Sequence, residues 1–246
     1  NVWCAAGKGT FSTAEVIRQV ELAELDKVVE HRKLVLPQLS ATGVSGRQVK
    51  EGCGFRVVWG PVRAGDIGRF LEAGMKADPE MRQVTFTLGE RVVLIPVELR
   101  ATFKPLLWVL LGLLVVSGIK AGGWPLDPLF LKGLLVLVSS IIAGAIVVPA
   151  LLPWIPGRAF SFQGALVGLV AGCAVALHPW EAWSVLEGVA LVLLTMTISS
   201  YLAMNFTGAT PFTAPSGVEK EMKRAIPFQL AGLLIAVGAL IGSSYI

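Results

Sequence analysis

Cys4 is the residue of this chain whose type and setting point most directly to metal chemistry. It stands in NVWCAAGK, residues 1–8, between Trp3 and two alanines, with Lys8 four positions on. The run reads as a strand end, Asn1 to Trp3, passing into a helix, which puts Cys4 in a first helical turn. There the positive end of the helix dipole and the Lys8 cation both favour thiolate, the form in which cysteine ligates metals. The alternative for Cys4 is burial as a small hydrophobe, since free cysteine is among the most buried residue types. For Cys53 and Cys173 that bland reading is the expectation.

Other standard chemistries find little in the sequence. GKGT at 7–10 resembles the end of a phosphate-binding loop, but Val2 stands where the first glycine of such a loop is required. There is no CxxC and no HExxH, which argues against an iron-sulfur cluster or a zinc site within the chain. His31 and His178 are the two histidines, and the second falls in an outer loop, so a Ser-His-Asp triad has poor support. Three widely spaced cysteines make no disulfide framework and suit a reducing cytoplasm. The pI of about 9.1 comes from basic residues mixed with acids rather than from a basic run, so nucleic acid is not an expected partner.

The elements that must position Cys4 lie in the first 86 residues. Ser12 with Glu15 forms a capping-box pattern for a helix to about residue 25. KLVLPQL (33–39) and FRVVWG (55–60) read as strands, SGRQVKEG (45–52) and AGDIGRFLEAG (64–74) as helices. The alternation predicts an α/β domain with a mostly parallel sheet, shorter than a full doubly wound fold. Ligands of such sheets lie outside the carboxyl ends of the strands, which singles out the loops 37–46 and 60–66. The missing initiator Met and the abrupt start suggest an N-terminal truncation.

Beyond Lys104 the composition changes. Of 21 Lys and Arg, 15 precede residue 105, and the whole chain is 54% hydrophobic with a mean hydropathy of +0.70, too apolar for an ordinary soluble fold. Residues 87–104, with a Thr87/Glu90 capping pattern and an interruption at Pro96, read as a connector at the membrane surface. Five apolar stretches follow, near 103–119, 129–152, 160–177, 182–204 and 225–246, each about long enough to cross a ~30 Å hydrocarbon core. Arg100, Lys104, Arg158, Lys220, Lys223 and Arg224 gather on one side and Lys120 on the other, so the positive-inside rule predicts a cytoplasmic α/β domain and an outer C-terminus. The polar segment 205–224, with Ser216 and Glu219 capping the last span, reads as a solvated connector or as a docking surface. Lys132 and Glu187 lie about a turn inside the outer helix ends, where snorkelling is the cheaper account and a functional ion pair the other. Hg(II) transport by the spans has little behind it, since Cys173 has no second thiol there.

NVWCAAGKGTF, followed by HRKLVLPQL, GPVRAGDI and a five-span membrane region, resembles the membrane-anchored corrinoid proteins of bacterial mercury methylation. The resemblance covers essentially the whole chain and lacks the family's N-terminal segment; the octapeptide is its specific part. It implies a partial α/β, Rossmann-like corrinoid-binding domain (1–86) related to that of the corrinoid iron-sulfur protein, a juxtamembrane connector (87–104) and an all-α transmembrane domain of five helices (105–246). It implies that the motif lies on a helix capping the lower face of the corrin, with Cys4 as axial cobalt ligand in place of the nucleotide base of cobalamin. Asn1, Trp3, Ala5, Ala6, Gly7 and Lys8 would shape that cap, and Gln38, Gly60 and Pro61 would complete the cofactor contacts from the two loops. The implied reaction is methyl transfer from methyl-Co(III) to Hg(II), helped by a strongly donating thiolate opposite the methyl group. Implied partners are a ferredoxin-like 4Fe-4S protein, a methyl donor of the methyltetrahydrofolate type or its methyltransferase, Hg(II) and the inner-membrane bilayer, with no cluster in this chain. Two other functions stand beside it: a methyl carrier of one-carbon and acetyl-CoA metabolism, and a transporter with a regulatory α/β domain.

Overall fold

The computed structural model describes residues 6–7, 9–120, 128–178, 183–207 and 215–243. The chain divides into two compact units, Asn1–Thr85 and Phe86–Ile246.

In the first unit, Ser12 caps helix α1 (Thr13–Leu22), its hydroxyl accepting from the Glu15 amide. Only this half of the expected box forms, because the Glu15 carboxylate turns outward to Arg18 and Gln19 at 2.7 and 2.8 Å. A four-residue helix, α2 (Leu25–Val28), leads to strand β1 (Lys33–Leu36). A 3-10 helix (Gln38–Thr42) and helix α3 (Gly46–Cys53) then cross over to strand β2 (Arg56–Trp59). The strands pair in parallel, Lys33 with Arg56 through Leu36 with Trp59. After β2 come a 3-10 turn (Ala64–Asp66), helix α4 (Ile67–Glu72) and a second 3-10 turn (Glu80–Arg82).

This is one β-α-β crossover, and the expectation of a Rossmann-like domain is corrected. Among the described residues the sheet has two strands. Each has four residues, because the chain holds only two short β-rich runs, KLVL and RVVW, in this region. A doubly wound parallel sheet is covered by helices on both faces. Here α1 and α3 pack together and α3 packs on β2, while Val35 in β1 stays 44% exposed. The core is correspondingly small: Val16, Leu36, Val44 and Val49, flanked by Ile17, Leu34, Val57 and Trp59. The largest side chains fully buried in this unit are Phe55 and Phe70, each worth about 1.5–3 kcal/mol of burial.

The second unit begins with α5 (Leu88–Lys120), a single helix that runs through Pro96 and Pro105. Thr87 and Glu90 cap its start reciprocally, with Thr87 N–H to Glu90 Oε2 at 2.8 Å and Glu90 N–H to Thr87 Oγ1 at 3.4 Å. The expected connector is thus continuous with the first apolar helix rather than broken at Pro96. Membrane helices tolerate such prolines because neighbouring groups and local adjustments accommodate the freed carbonyls.

Helix α6 (Pro128–Ile141) passes through a π-helical turn (Ile142–Val147) into α7 (Val148–Leu151). Pro149 accounts for the wide turn: it has no N–H for the carbonyl four residues back, and the Val148 N–H bonds Ala143 O, five back. Then follow α8 (Phe160–Ala176), α9 (Val185–Phe206) and α10 (Pro215–Ser243). The last begins at Pro215, so Ser216 lies inside it rather than capping it.

Four helices are long and apolar enough to cross a membrane: Leu88–Ile119, Pro128–Leu151, Val185–Phe206 and Gly217–Ser243. Helix α8 has 17 residues, about 26 Å at 1.5 Å per residue, short of a ~30 Å core. The expected five spans become four of full length and one short apolar helix. Large apolar side chains on their surfaces, among them Trp108 at 74% and Ile119 at 78% exposure, face outward without protein cover. By length and composition this is a membrane protein.

The centre of the unit is the α8–α9 contact, set by glycines four residues apart. A Cβ on Gly164 would meet Ser199 O at 2.6 Å, on Gly168 Met196 Cα and Thr195 O at 2.8 Å, and on Gly172 Val192 Cα at 2.9 Å. Small residues at this spacing let helix backbones close on each other where lipid removes the hydrophobic drive for association. Polar ties add to it: Ser199 Oγ donates to Gly164 O at 2.7 Å, and Gln229 Nε2 on α10 donates to Ser200 Oγ at 2.9 Å.

Candidate functional site

Of the described sequence-predicted residues, Gln38, Gly60 and Pro61 follow the carboxyl ends of the two strands, and Ala6 and Gly7 are met by Gly43 of the loop after β1. Leu36 ends β1 opposite Trp59 at the end of β2, and the Gly60 N–H donates to Leu36 O at 2.8 Å. Gly60 and Pro61 are buried there. A Cβ on Gly60 would meet Val35 Cγ1 at 3.2 Å, which holds this corner close to β1. The loop beyond is fixed by Val62 N–H to Met81 O at 2.9 Å and by Arg63 on Thr85 Oγ1.

Gln38 opens the 3-10 helix after β1. That helix is locked by Ser40, whose side chain is fully buried and donates to Pro37 O at 2.6 Å. The Gln38 amide oxygen is buried and accepts no hydrogen bond among the described residues. Such an acceptor costs about 1–3 kcal/mol when left alone.

Gly43 ends the same 3-10 helix and carries the tightest approach at this edge. A Cβ here would sit 2.2 Å from both Ala6 C and Gly7 N. Only glycine can lie there, and the close contact brings the end of the N-terminal motif onto the loop after β1. Gly7 is left-handed, with φ +82°, and its N–H donates to Phe11 O at 3.0 Å, closing a turn bridged between Ala6 and Phe11. Next to it, the Ser45 N–H donates to Thr13 Oγ1 at 3.0 Å, joining the start of α1 to the start of α3.

This geometry corrects one expectation. The helix expected to carry the motif does not include its described end: Ala6 and Gly7 belong to a bridged turn, and the first helix starts at Thr13. Asn1, Trp3, Cys4, Ala5 and Lys8 lie outside the described residues. Gly43 and Ser40 are the positioning residues that sequence reasoning missed, although both stand within the loop 37–46 that the strand-end rule had singled out.

Electrostatics in this unit are mild. The strongest perturbation is on α1, where the Arg18 guanidinium, helped by Gln19, holds the Glu15 carboxyl at about 2 against an ordinary 4.5. Cys53 is free, its Sγ donating to Val49 O at 3.1 Å as a partly buried side chain beside the core.

The membrane unit contributes a second polar feature. Lys132 on α6 and Glu187 on α9 form an ion pair at 3.2 Å, with side chains 18% and 28% exposed. The ammonium also lies 4.7 Å from the Trp183 ring centroid. Glu187 doubles as capping partner of Ser184, so its position is fixed by the start of α9. The pair lines an apolar cavity of about 490 Å³ together with Leu113, Val136 and Leu191. Cys173 is free and half-buried, and among the described residues no three His, Cys, Asp or Glu side chains gather as metal ligands. No family model, curated protein or solved structure matches the chain.

Proposed function

We propose that the chain is a membrane-anchored, corrinoid-dependent methyltransferase acting on Hg(II), with its corrinoid at the carboxyl edge of β1 and β2. The observation that carries the reading is the Gln38 amide oxygen, buried and without a donor, in the same loop whose Gly43 meets Ala6 and Gly7. A corrin is rimmed with primary amides, whose N–H groups are the donors this oxygen lacks. The glycines at 7, 43 and 60 leave backbone rather than side chains along the edge. On these grounds the residues fit the group.

When bound, a corrinoid supplies a cobalt that can carry a methyl group and release it to a soft metal acceptor. The chain's own part is binding and tuning. Gln38 Oε1 would help hold the group by accepting from its amides, and Ser40 keeps the 3-10 helix that carries Gln38. Gly7 and Gly43 let the N-terminal motif approach. Cys4, two positions before Ala6, would supply a thiolate to the cobalt, a soft donor that Ser or Thr cannot replace. The unit belongs on the cytoplasmic face, where a ferredoxin-like 4Fe-4S partner and a methyl donor have access, an orientation resting on the Lys and Arg asymmetry of the loops.

Membranes containing the full chain, supplied with corrinoid, reductant, methyl donor and Hg(II), should form methylmercury. Cys4→Ala should abolish it. Gln38→Leu should leave the reaction in place while weakening corrinoid retention roughly tenfold, the value of about one buried hydrogen bond. Methylation at wild-type rate by Cys4→Ala would remove the thiolate from the account.

A further inference from the structure

The membrane unit holds a second cavity, of about 480 Å³, between the first turns of α8, the stretch 196–200 of α9 and the first half of α10. Three cations line it: Arg158 just before α8, and Lys220 and Arg224 on α10. Their spacing of four residues puts Lys220 and Arg224 on one face of the helix, where like charges repel. None of the three has an ion pair among the described residues. The neighbouring Lys223, by contrast, is paired with Glu219 at 2.6 Å.

The acid that faces them is already engaged. Glu221 lines the cavity and accepts from the Ser161 N–H at 2.7 Å, so it caps the start of α8 and cancels one of the three charges. Two positive charges are left over. Beside Ser200 and Gln229, which bond each other, the wall carries two open aromatic rings, Phe162 53% and Phe228 80% exposed. A free anion would satisfy the cations but would leave these rings bare, whereas an amphiphile satisfies both.

We infer that this cavity is a site for an anionic glycerophospholipid, its phosphate held by Arg158, Lys220 and Arg224 and an acyl chain laid along Phe162 and Phe228. Arg158 and Arg224 offer forked donors suited to phosphate oxygens, and Lys220 adds a point charge. The position is fixed from behind by two hydrogen bonds, Ser161 N–H to Glu221 and Gln229 to Ser200, which hold α10 against α8 and α9. The site therefore exists before the lipid arrives.

The test uses the full chain, purified in a neutral detergent and incubated with phosphatidylglycerol or phosphatidylcholine, with retained lipid counted by native mass spectrometry. Wild type should retain phosphatidylglycerol roughly tenfold over phosphatidylcholine, because each cation near a headgroup contributes appreciably. Arg158→Gln with Arg224→Gln should remove the preference. Lys223→Gln removes a cation from the same helix but not from the cavity, and should keep it. Phe228→Ala, which leaves every charge in place, should lower retention of both lipids. Should the double variant lose its helical circular dichroism, Lys220→Gln and Phe228→Ala decide the matter in its place, and wild-type retention and preference in both would overturn the site. Equal retention of the two lipids by wild type, or equal loss of preference in Lys223→Gln, would overturn it as well. Release of phosphatidylglycerol by millimolar inorganic phosphate would assign the cations to a free anion and overturn the lipid. None of these results depends on the corrinoid reading.

Discussion

At Gly43 in the first unit and at Gly168 in the second, an added Cβ would strike backbone, at 2.2 Å from Ala6 C and Gly7 N in one and 2.8 Å from Met196 Cα and Thr195 O in the other. The two contacts look alike and serve different ends. Gly168 belongs to a row with Gly164 and Gly172, and together they seat one helix on another over a long, repetitive surface. Gly43 is a single point, and what it seats is a turn next to the Cys4 motif. The membrane unit spreads its stability over many equivalent contacts, while the small unit relies on a few residues around two four-residue strands. It follows that single substitutions should be felt more sharply in the first unit than in the second.

Phe55→Ala is the severest test of that contrast. Phe55 is 1% exposed and lies under the Arg32 guanidinium at 5.3 Å. Its truncation should cost about 3–5 kcal/mol, enough to unfold a unit with so small a core. Limited proteolysis should then clip residues before 86 while leaving the membrane helices intact; an uncut chain would show that the core is broader than these contacts imply.

Gly168→Leu should come next, costing about 1–3 kcal/mol or more by overpacking the α8–α9 contact. Gly188→Ala, on α9 with nothing within 4 Å of its added Cβ, should be neutral or stabilising by about 0.5–1 kcal/mol. Thermal unfolding in detergent compares the pair directly. If both glycines respond equally, close approach is not what glycine supplies at position 168.

The Lys132–Glu187 pair should matter less, about 1 kcal/mol, because neither side chain is fully buried in the protein. A double-mutant cycle of Lys132→Met and Glu187→Gln isolates the coupling, and a value near zero would reduce the pair to mere neighbours.

The smallest effect is the pH response of Glu15. Its carboxyl is depressed in the folded state, to about 2 from 4.5, by Arg18 first and Gln19 second. The contribution is therefore fully present above about pH 4.5 and lost as pH falls from there toward 2. Glu15→Gln should lower the stability of the first unit slightly at pH 7 to 8, where the contribution is present, and flatten the acid side of its stability curve across that window. An unaltered acid limb in the variant would mean that the Glu15–Arg18 contact is too exposed to register.

Much of the local structure could be read from residue types. KLVL and RVVW are strands, Ser45 begins a helix and Gly54 ends it left-handed, and the membrane spans follow from hydropathy. The Rossmann-like expectation failed because alternating strands and helices reveal order but not how many strands the sheet will gather. Pro96 read as a break because the penalty for proline in a helix interior is a soluble-protein value, and the surrounding apolar residues keep the helix going. The row Gly164, Gly168 and Gly172 stands at a spacing of four in the sequence, but small residues alone do not say which helix they will meet.

The strand-end rule singles out the loops 37–46 and 60–66, and these follow the paired strand ends Leu36 and Trp59. It could not foresee the bare Gln38 oxygen or the Gly43 contact, since both depend on how the loop folds back on the turn at Ala6 and Gly7. The ion pair of Lys132 and Glu187 shows the opposite case. Its two residues stand 55 positions apart in the sequence, where snorkelling is the cheaper account, and only the packing of α6 with α9 brings ammonium and carboxylate to 3.2 Å.

The proposed binding of a corrinoid at the carboxyl edge of β1 and β2 through the Cys4 thiolate is tested most directly by the visible spectrum of the loaded protein. The full chain in detergent, titrated with cobinamide in the Co(III) state, should take up one equivalent and give a thiolate-ligated spectrum. Cys4→Ala should give a spectrum without that ligand, and Gly43→Ala, which displaces the turn at Ala6 and Gly7, should bind at least tenfold more weakly. A wild-type protein that leaves the cobinamide spectrum unchanged, or a Cys4→Ala spectrum indistinguishable from wild type, would contradict the claim.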